Sequence, residues 1–143
     1  MTVGHEIHIL SNLLNRAVDN STVKKKVDQV TASNAKIIGY IQTNQDHDVY
    51  QRDLEEAFGI TRSTASKSVS LMVSKGLVKR EPVEGDARLK KLVITESASE
   101  LCELMMNNIY DIEAQMTEGF SEEELDRFVG YMHRMQDNLR KML

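Results

Sequence analysis

Between residues 51 and 94 the apolar residues switch from helical spacing to alternation, and glycines bracket the second helical stretch. Leu54, Ala57 and Phe58 share one face of a short helix. Gly59 follows, where a helix stop calls for the left-handed backbone that glycine adopts without strain. Ile60 turns inward, and Thr61 is placed to cap a second helix. That helix carries Ala65, Val69, Met72 and Val73 on one face, leaves Leu71 off it and ends at Gly76. The period then becomes two. Residues 77–83 read as a strand, and Pro82, which lacks an N–H, confines that strand to an edge or ends it. Glu84, Gly85, Asp86 and Ala87 carry turn chemistry, and residues 91–94 read as the returning strand.

The flanks are helical. Ile7, Leu10, Leu14 and Ala17 recur at helical spacing within residues 7–18, with Leu13 and Val18 beside them. Residues 19–29, with Lys24, Lys25 and Lys26, read as a polar connection. Thr31 is then the expected N-cap of a helix with Ala35, Ile38 and Ile41 on its inner face, and residues 43–48 read as a loop. After the hairpin, Thr95 caps a helix striped by Leu101, Met105, Ile109, Ile112 and Met116. A last helix opens on a capping box of Ser121 and Glu124, with Phe120 and Leu125 spaced as a hydrophobic staple. Its stripe is Leu125, Phe128, Val129, Met132, Met135 and Leu139.

The chain has 143 residues, 41% hydrophobic and 28% charged, which suits one soluble globular domain. No apolar run exceeds three residues, whereas a membrane span needs roughly 20. The first residues lack a basic segment leading into an apolar one, so a cytoplasmic protein is expected. Cys102 is the single cysteine, which excludes an internal disulfide framework. The net charge of −4 is unevenly spread. Residues 1–60 carry 6 basic and 8 acidic side chains, residues 61–91 carry 8 and 3, and residues 92–143 carry 4 and 11. A basic island therefore lies between acidic flanks, the distribution expected if one face meets phosphate while the rest stays soluble.

A helix that reads DNA must bury one face on its own domain and offer short polar groups and a few cations to the major groove. Residues 61–75 fit: opposite the apolar face stand Arg62, Ser63, Thr64, Ser66, Lys67 and Ser70. The hairpin that follows holds Asp86, Arg88, Lys90 and Lys91 at its tip. A guanidinium on a thin hairpin suits the minor groove, and Asp86 is spaced to pair with Arg88 and orient it. The expected DNA-contacting set is Gln51, Arg62, Ser63, Thr64, Ser66, Lys67, Ser70, Asp86, Arg88 and Lys90.

In order along the chain, residues 30–31, 54–60, 63–67, 75–80, 86–90 and 94–95 resemble the MarR family of regulators. The pieces are Val30-Thr31, Leu54-Glu55-Glu56-Ala57-Phe58-Gly59-Ile60, Ser63-Thr64-Ala65-Ser66-Lys67, Lys75-Gly76-Leu77-Val78-Lys79-Arg80, Asp86-Ala87-Arg88-Leu89-Lys90 and Ile94-Thr95. The resemblance is strongest over 30–98, and the flanking helices match in arrangement more than in sequence. Asn34 stands where a glutamine is usual and Ala98 where a glycine often follows the wing. The resemblance implies a mainly α fold with a small β-hairpin wing: a winged helix-turn-helix lobe at 30–95 flanked by dimerisation helices at 5–20 and 96–143. It implies a triangular homodimer, a recognition helix in the major groove, a wing arginine in the minor groove, and a small-molecule effector between dimer base and lobe. The apolar stripes of the terminal helices point independently to a partner surface, since they exceed what a small winged lobe can cover. A two-fold dimer sets two recognition helices about one DNA turn apart, roughly 34 Å.

Other candidates are weaker. Cys102 beside an apolar stripe reads as a small buried hydrophobe before it reads as a redox sensor. His5 and His8 share a helix face, yet no further ligands complete a metal set. Among the eight methionines, Met105, Met106, Met116, Met132 and Met135 read as helix packing before they read as the lining of a ligand pocket. No phosphate-binding glycine cluster, nucleophile elbow or metal-ligand spacing is present, so neither an enzyme nor a cofactor is expected. Two non-enzymatic alternatives are a winged module that binds protein and an architectural DNA protein of low specificity. The small polar helix with a cationic wing argues against the first, and the acidic remainder of the chain against the second.

Overall fold

The computed structural model describes all 143 residues, and its contacts group into two compact units, Met1–Ile109 and Tyr110–Leu143. Seven helices and one antiparallel hairpin follow in order: α1 (Val3–Asp19), α2 (Thr22–Thr31), α3 (Ala35–Thr43), α4 (Gln51–Phe58), α5 (Arg62–Ser74), β1 (Val78–Val83), β2 (Asp86–Ile94), α6 (Glu96–Met116) and α7 (Glu122–Arg140). No helix is long and apolar enough to cross a membrane.

Residues 19–29 are not a connection. Ser21 accepts the Lys24 N–H and starts α2, and Lys24 pairs with Asp28 one turn on. Val27 and Thr31 supply the buried side, at 2% and 1% exposed. Of the three lysines that suggest a loop, Lys25 and Lys26 are on the solvated side of an amphipathic helix and Lys24 is half-buried against Asp28. Thr31 consequently caps nothing downstream: it is the last residue of α2, and its hydroxyl donates to the Val27 carbonyl at 2.8 Å. Thr31 also does not open α3, whose N-cap is Asn34. Between the two helices Ala32 and Ser33 both take left-handed backbone, φ 47° and 63°. Asn34 holds that strained pair, its side-chain amide donating to the carbonyls of Thr31 and Ala32. Asn34, the departure from the usual glutamine, thus acts on its own turn.

The core of the first unit joins Ile37, Ile38 and Ile41 of α3, Leu54 of α4, and Val69 and Met72 of α5. Leu77, Val78, Leu92 and Ile94 enter from the hairpin, and Ala98 enters from the start of α6. Leu54, Val69, Met72 and Ala98 have no exposed surface. The methyl of Ala98, where glycine is frequent, is therefore packed inside the core. Ala57 is exposed, contrary to its place in the expected stripe, and Phe58 is half-buried with its ring 5.7 Å from that of Tyr40. Gly59 ends α4 at φ 59°, and Thr61 caps α5 by accepting the Thr64 N–H.

β2 is longer than the expected strand at 91–94 and begins at Asp86, so only Glu84 and Gly85 are left for the turn. The register pairs Val78 with Ile94, Arg80 with Leu92 and Pro82 with Lys90, and slips after Pro82. A further segment meets the base of the hairpin, where Leu92 N–H donates to the Val49 carbonyl at 2.7 Å. Thr95 closes the hairpin: its hydroxyl donates to the Gly76 carbonyl and accepts the Ala98 N–H, capping α6. In the second unit α7 opens on the expected capping box, Glu124 accepting the Ser121 N–H at 2.8 Å. Phe120 stays 59% exposed.

Candidate nucleic-acid interface

α5 is buried on one side only. Ala65, Val69 and Met72 face the core, while Arg62, Ser63, Thr64, Lys67 and Ser70 are exposed and Ser66 is half-buried. The exposed face is thus made of short hydroxyl side chains and two cations, thin enough for the helix axis to approach base edges. The joint with α4 is tied by Gln51, whose side-chain amide donates to the Arg62 carbonyl at 3.5 Å. Thr64's hydroxyl is occupied locally by that of Thr61, 3.0 Å away.

The wing turns its charge toward the same side. Side chains alternate along a strand, so Val78 and Arg80 share a face of β1, and Ile94, Leu92, Lys90 and Arg88 share a face of β2. Val78, Leu92 and Ile94 are buried in the core. Farther out the hairpin outruns that core, and the same face offers Arg80, Lys90 and Arg88, all exposed. With Tyr50, the N-cap of α4, with Gln51, Arg52 and Glu55 of α4 and with Arg62 of α5 they line a cleft of about 460 Å³. Five cations meet one carboxylate there. Arg52 lies over the Tyr50 ring at 5.3 Å, and Arg80 donates to the Ser70 hydroxyl at 2.9 Å.

Of the expected contact residues, Gln51, Arg62, Arg88 and Lys90 come together in this cleft, whereas Ser63, Thr64, Ser66 and Lys67 lie along α5. Ser70 is engaged by Arg80. Asp86 does not pair with the Arg88 guanidinium. Its carboxylate accepts the backbone N–H groups of Arg88 and Leu89 at 2.9 and 3.3 Å, folding the strand start and leaving the Arg88 head without an ionic partner. Lys91 points to the other face and pairs with Asp48 at 3.5 Å. Sequence reasoning missed Tyr50, Arg52 and Arg80. The alternation of Arg80 with Val78 was a usable signal, whereas nothing local in the sequence pointed to Arg52.

A second cavity, about 310 Å³ and almost wholly apolar, lies where α2, α3 and α6 meet. Val27, Ile38, Leu101, Cys102, Met105 and Met106 are among its walls. Met105 and Met106 are therefore cavity lining, which the packing reading did not expect of them. Burial pushes the Cys102 thiol up from its ordinary pKa, which disfavours the thiolate. His5 and His8 are exposed on α1.

These features define a winged helix-turn-helix protein: a helix pair at a tight joint, an exposed polar face on the second helix, and a hairpin directly after it. The model of the MarR family matches residues 28–89. The transcription regulator MarR from Oenococcus oeni PSU-1 is 31% identical, with 95% of this chain and 99% of that chain covered and a TM-score of 0.54. The chain belongs to the MarR family. A mutant of S. aureus MepR, 23% identical, superposes with a TM-score of 0.80 over 97% of this chain and 99% of that one. A second MepR mutant, bound to an oligodeoxyribonucleotide, is 23% identical with a TM-score of 0.72 over 97% and 99% of the two chains. The mainly α fold with a hairpin wing is common to all of them.

Proposed function

We propose that this chain is a sequence-specific DNA-binding transcriptional regulator that acts in the cytoplasm as a homodimer on a pseudo-palindromic duplex. The observation that carries the proposal is the continuity of the exposed α5 face with the cationic cleft beside it. Small hydroxyl groups and Lys67 suit base edges, and the wing carries Arg88 outward with its guanidinium unpaired. In this reading Gln51, Arg62, Ser63, Thr64, Ser66 and Lys67 face the major groove and its phosphates, Ser70 acts by holding Arg80 beside them, and Arg88, with Asp86 and Lys90, serves the minor groove. The solved MepR complex with an oligodeoxyribonucleotide supports it by analogy.

The dimer rests on uncovered apolar surface. Ile9, Leu10, Leu13 and Leu14 of α1 are 37–55% exposed, and Phe128, Val129, Tyr131 and Leu139 of α7 are 49–60% exposed. Neither helix has a buried residue. A second copy is the partner that makes two recognition helices available to one palindrome. We further propose that the chain represses, and that a small apolar effector releases it by filling the cavity between α2, α3 and α6. S. aureus MepR has been solved with ethidium bromide bound, which supports a small-molecule partner in this family.

Selection of bound fragments from random duplex by the purified chain tests the reading. The expected product is a consensus with two inverted half-sites about one helical turn apart. A chain that enriches no duplex would instead be a protein-binding winged module.

A further inference from the structure

We propose that the cleft between α4 and the wing is a preformed seat for a phosphodiester of the DNA backbone, with Arg52 and Arg80 as its phosphate-binding residues. The inference rests on the DNA-binding reading and assigns to two arginines a role apart from base recognition. Each guanidinium is already held. Arg52 lies over the Tyr50 ring at 5.3 Å, a contact that restricts its rotamers while leaving its N–H groups free to reach outward. Arg80 is fixed on the face of β1 shared with buried Val78, and its Nη2 donates to the Ser70 hydroxyl at 2.9 Å. Neither arginine has a carboxylate partner within ion-pair distance. Held guanidinium groups without an ion-paired carboxylate, in a cleft of about 460 Å³ where Glu55 is the one acid among five cations, suit the oxygens of a phosphate.

The cleft also bridges the two DNA-reading elements. Ser70 belongs to α5 and Arg80 to β1, so their hydrogen bond ties the recognition helix to the root of the wing. A phosphate bound there fixes the angle between the helix in one groove and the hairpin entering the next. Arg80 is accordingly a contact residue, and Ser70 is a positioning residue that acts through it.

The test is a salt titration of binding to the selected duplex and to single-base variants of it, using the full-length chain. Arg52→Ala and Arg80→Ala each remove two cations per dimer and should each lower the salt slope by up to about two units, or up to about 12-fold in affinity across a fourfold change of salt, equally for every duplex. Ser70→Ala should weaken binding in the wild-type background and change nothing in Arg80→Ala, and Arg80→Lys should recover the slope but not the full affinity. Melting curves check that each variant is folded, and the exposed positions of both arginines make that the expected result. Tripolyphosphate separates the two possible phosphate sources: at equal ionic strength it should displace duplex from the wild type no better than sulfate does. Preferential displacement would make the seat one for free polyphosphate and overturn the backbone assignment. Unchanged slopes in both alanine variants would overturn the seat while the DNA-binding reading stood. A wild type that binds no duplex would overturn both.

Discussion

The winged lobe and the terminal helices use the same apolar periodicity for opposite ends. In the lobe, three or four apolar residues per element are enough, because α3, α4, α5 and the hairpin close on each other. Leu54, Val69 and Met72 end with no exposed surface. α1 and α7 carry stripes at least as long, and neither buries a single residue. Periodicity alone announces a helix face; it does not say whether the chain itself covers that face. The lobe buries its own apolar residues, whereas α1 and α7 leave theirs uncovered, as the proposed dimer requires.

The sharpest break of this contrast is a pair of leucines. Leu54→Ala should destabilise the lobe by about 2–5 kcal/mol, the range for emptying a packed core position. Leu14→Ala, on the exposed stripe of α1, should leave the melting temperature of the isolated protomer within the small range of surface substitutions. Chemical denaturation at low protein concentration checks both. A similar loss at the two sites would show that α1 is covered by its own chain.

Charge on the stripes comes next. Phe128→Asp in α7 and Leu13→Asp in α1 should each convert a dimer to a monomer in light scattering at micromolar concentration, with α5 and the hairpin still folded by circular dichroism. Wild-type stability should rise with protein concentration, and that dependence should vanish in the aspartate variants. A wild type whose stability ignores concentration would leave the stripes without their proposed partner.

A smaller effect separates the start of α7 from its stripe. The Ser121 backbone N–H, and then its hydroxyl, hold the Glu124 carboxyl below its ordinary pKa. A depressed folded-state pKa contributes stability above the unfolded value and loses it as pH falls through the lowered one. Glu124→Gln should therefore flatten the acid limb of α7 unfolding. Ser121→Ala should cost about 1 kcal/mol at neutral pH, the usual loss for an N-cap. Helicity followed from neutral pH into the carboxylate range reads both, and an acid limb identical to wild type in Glu124→Gln would remove the capping box from the account.

Stops and caps, with Thr31 the exception, were the legible part of the sequence. Gly59, Thr61, Thr95, Ser121 and Glu124 each do in the structure what their residue type and position implied, because caps depend on neighbours within a few residues. The exposed polar face of α5 was legible from helical spacing. Missed features depend on distant partners. α2 looked like a loop because three lysines outweighed Val27 and Thr31, whose burial is set by surrounding elements. Nearness in sequence points Asp86 at the Arg88 head, but the strand geometry brings the backbone N–H groups of Arg88 and Leu89 closer. Arg52 and Arg80 became visible only when α4 and the wing were brought to one cleft.

In the proposed complex α5 and the wing read adjacent grooves of one duplex, twice per dimer. Hydroxyl-radical footprinting of the selected duplex with wild type and Arg88→Ala tests it most directly. The account predicts a two-fold symmetric footprint, with outer minor-groove sugars protected by the wing. Arg88→Ala should lose that outer protection while the inner pattern under α5 persists. A wild-type footprint without symmetry, or outer protection unchanged in Arg88→Ala, would contradict the account.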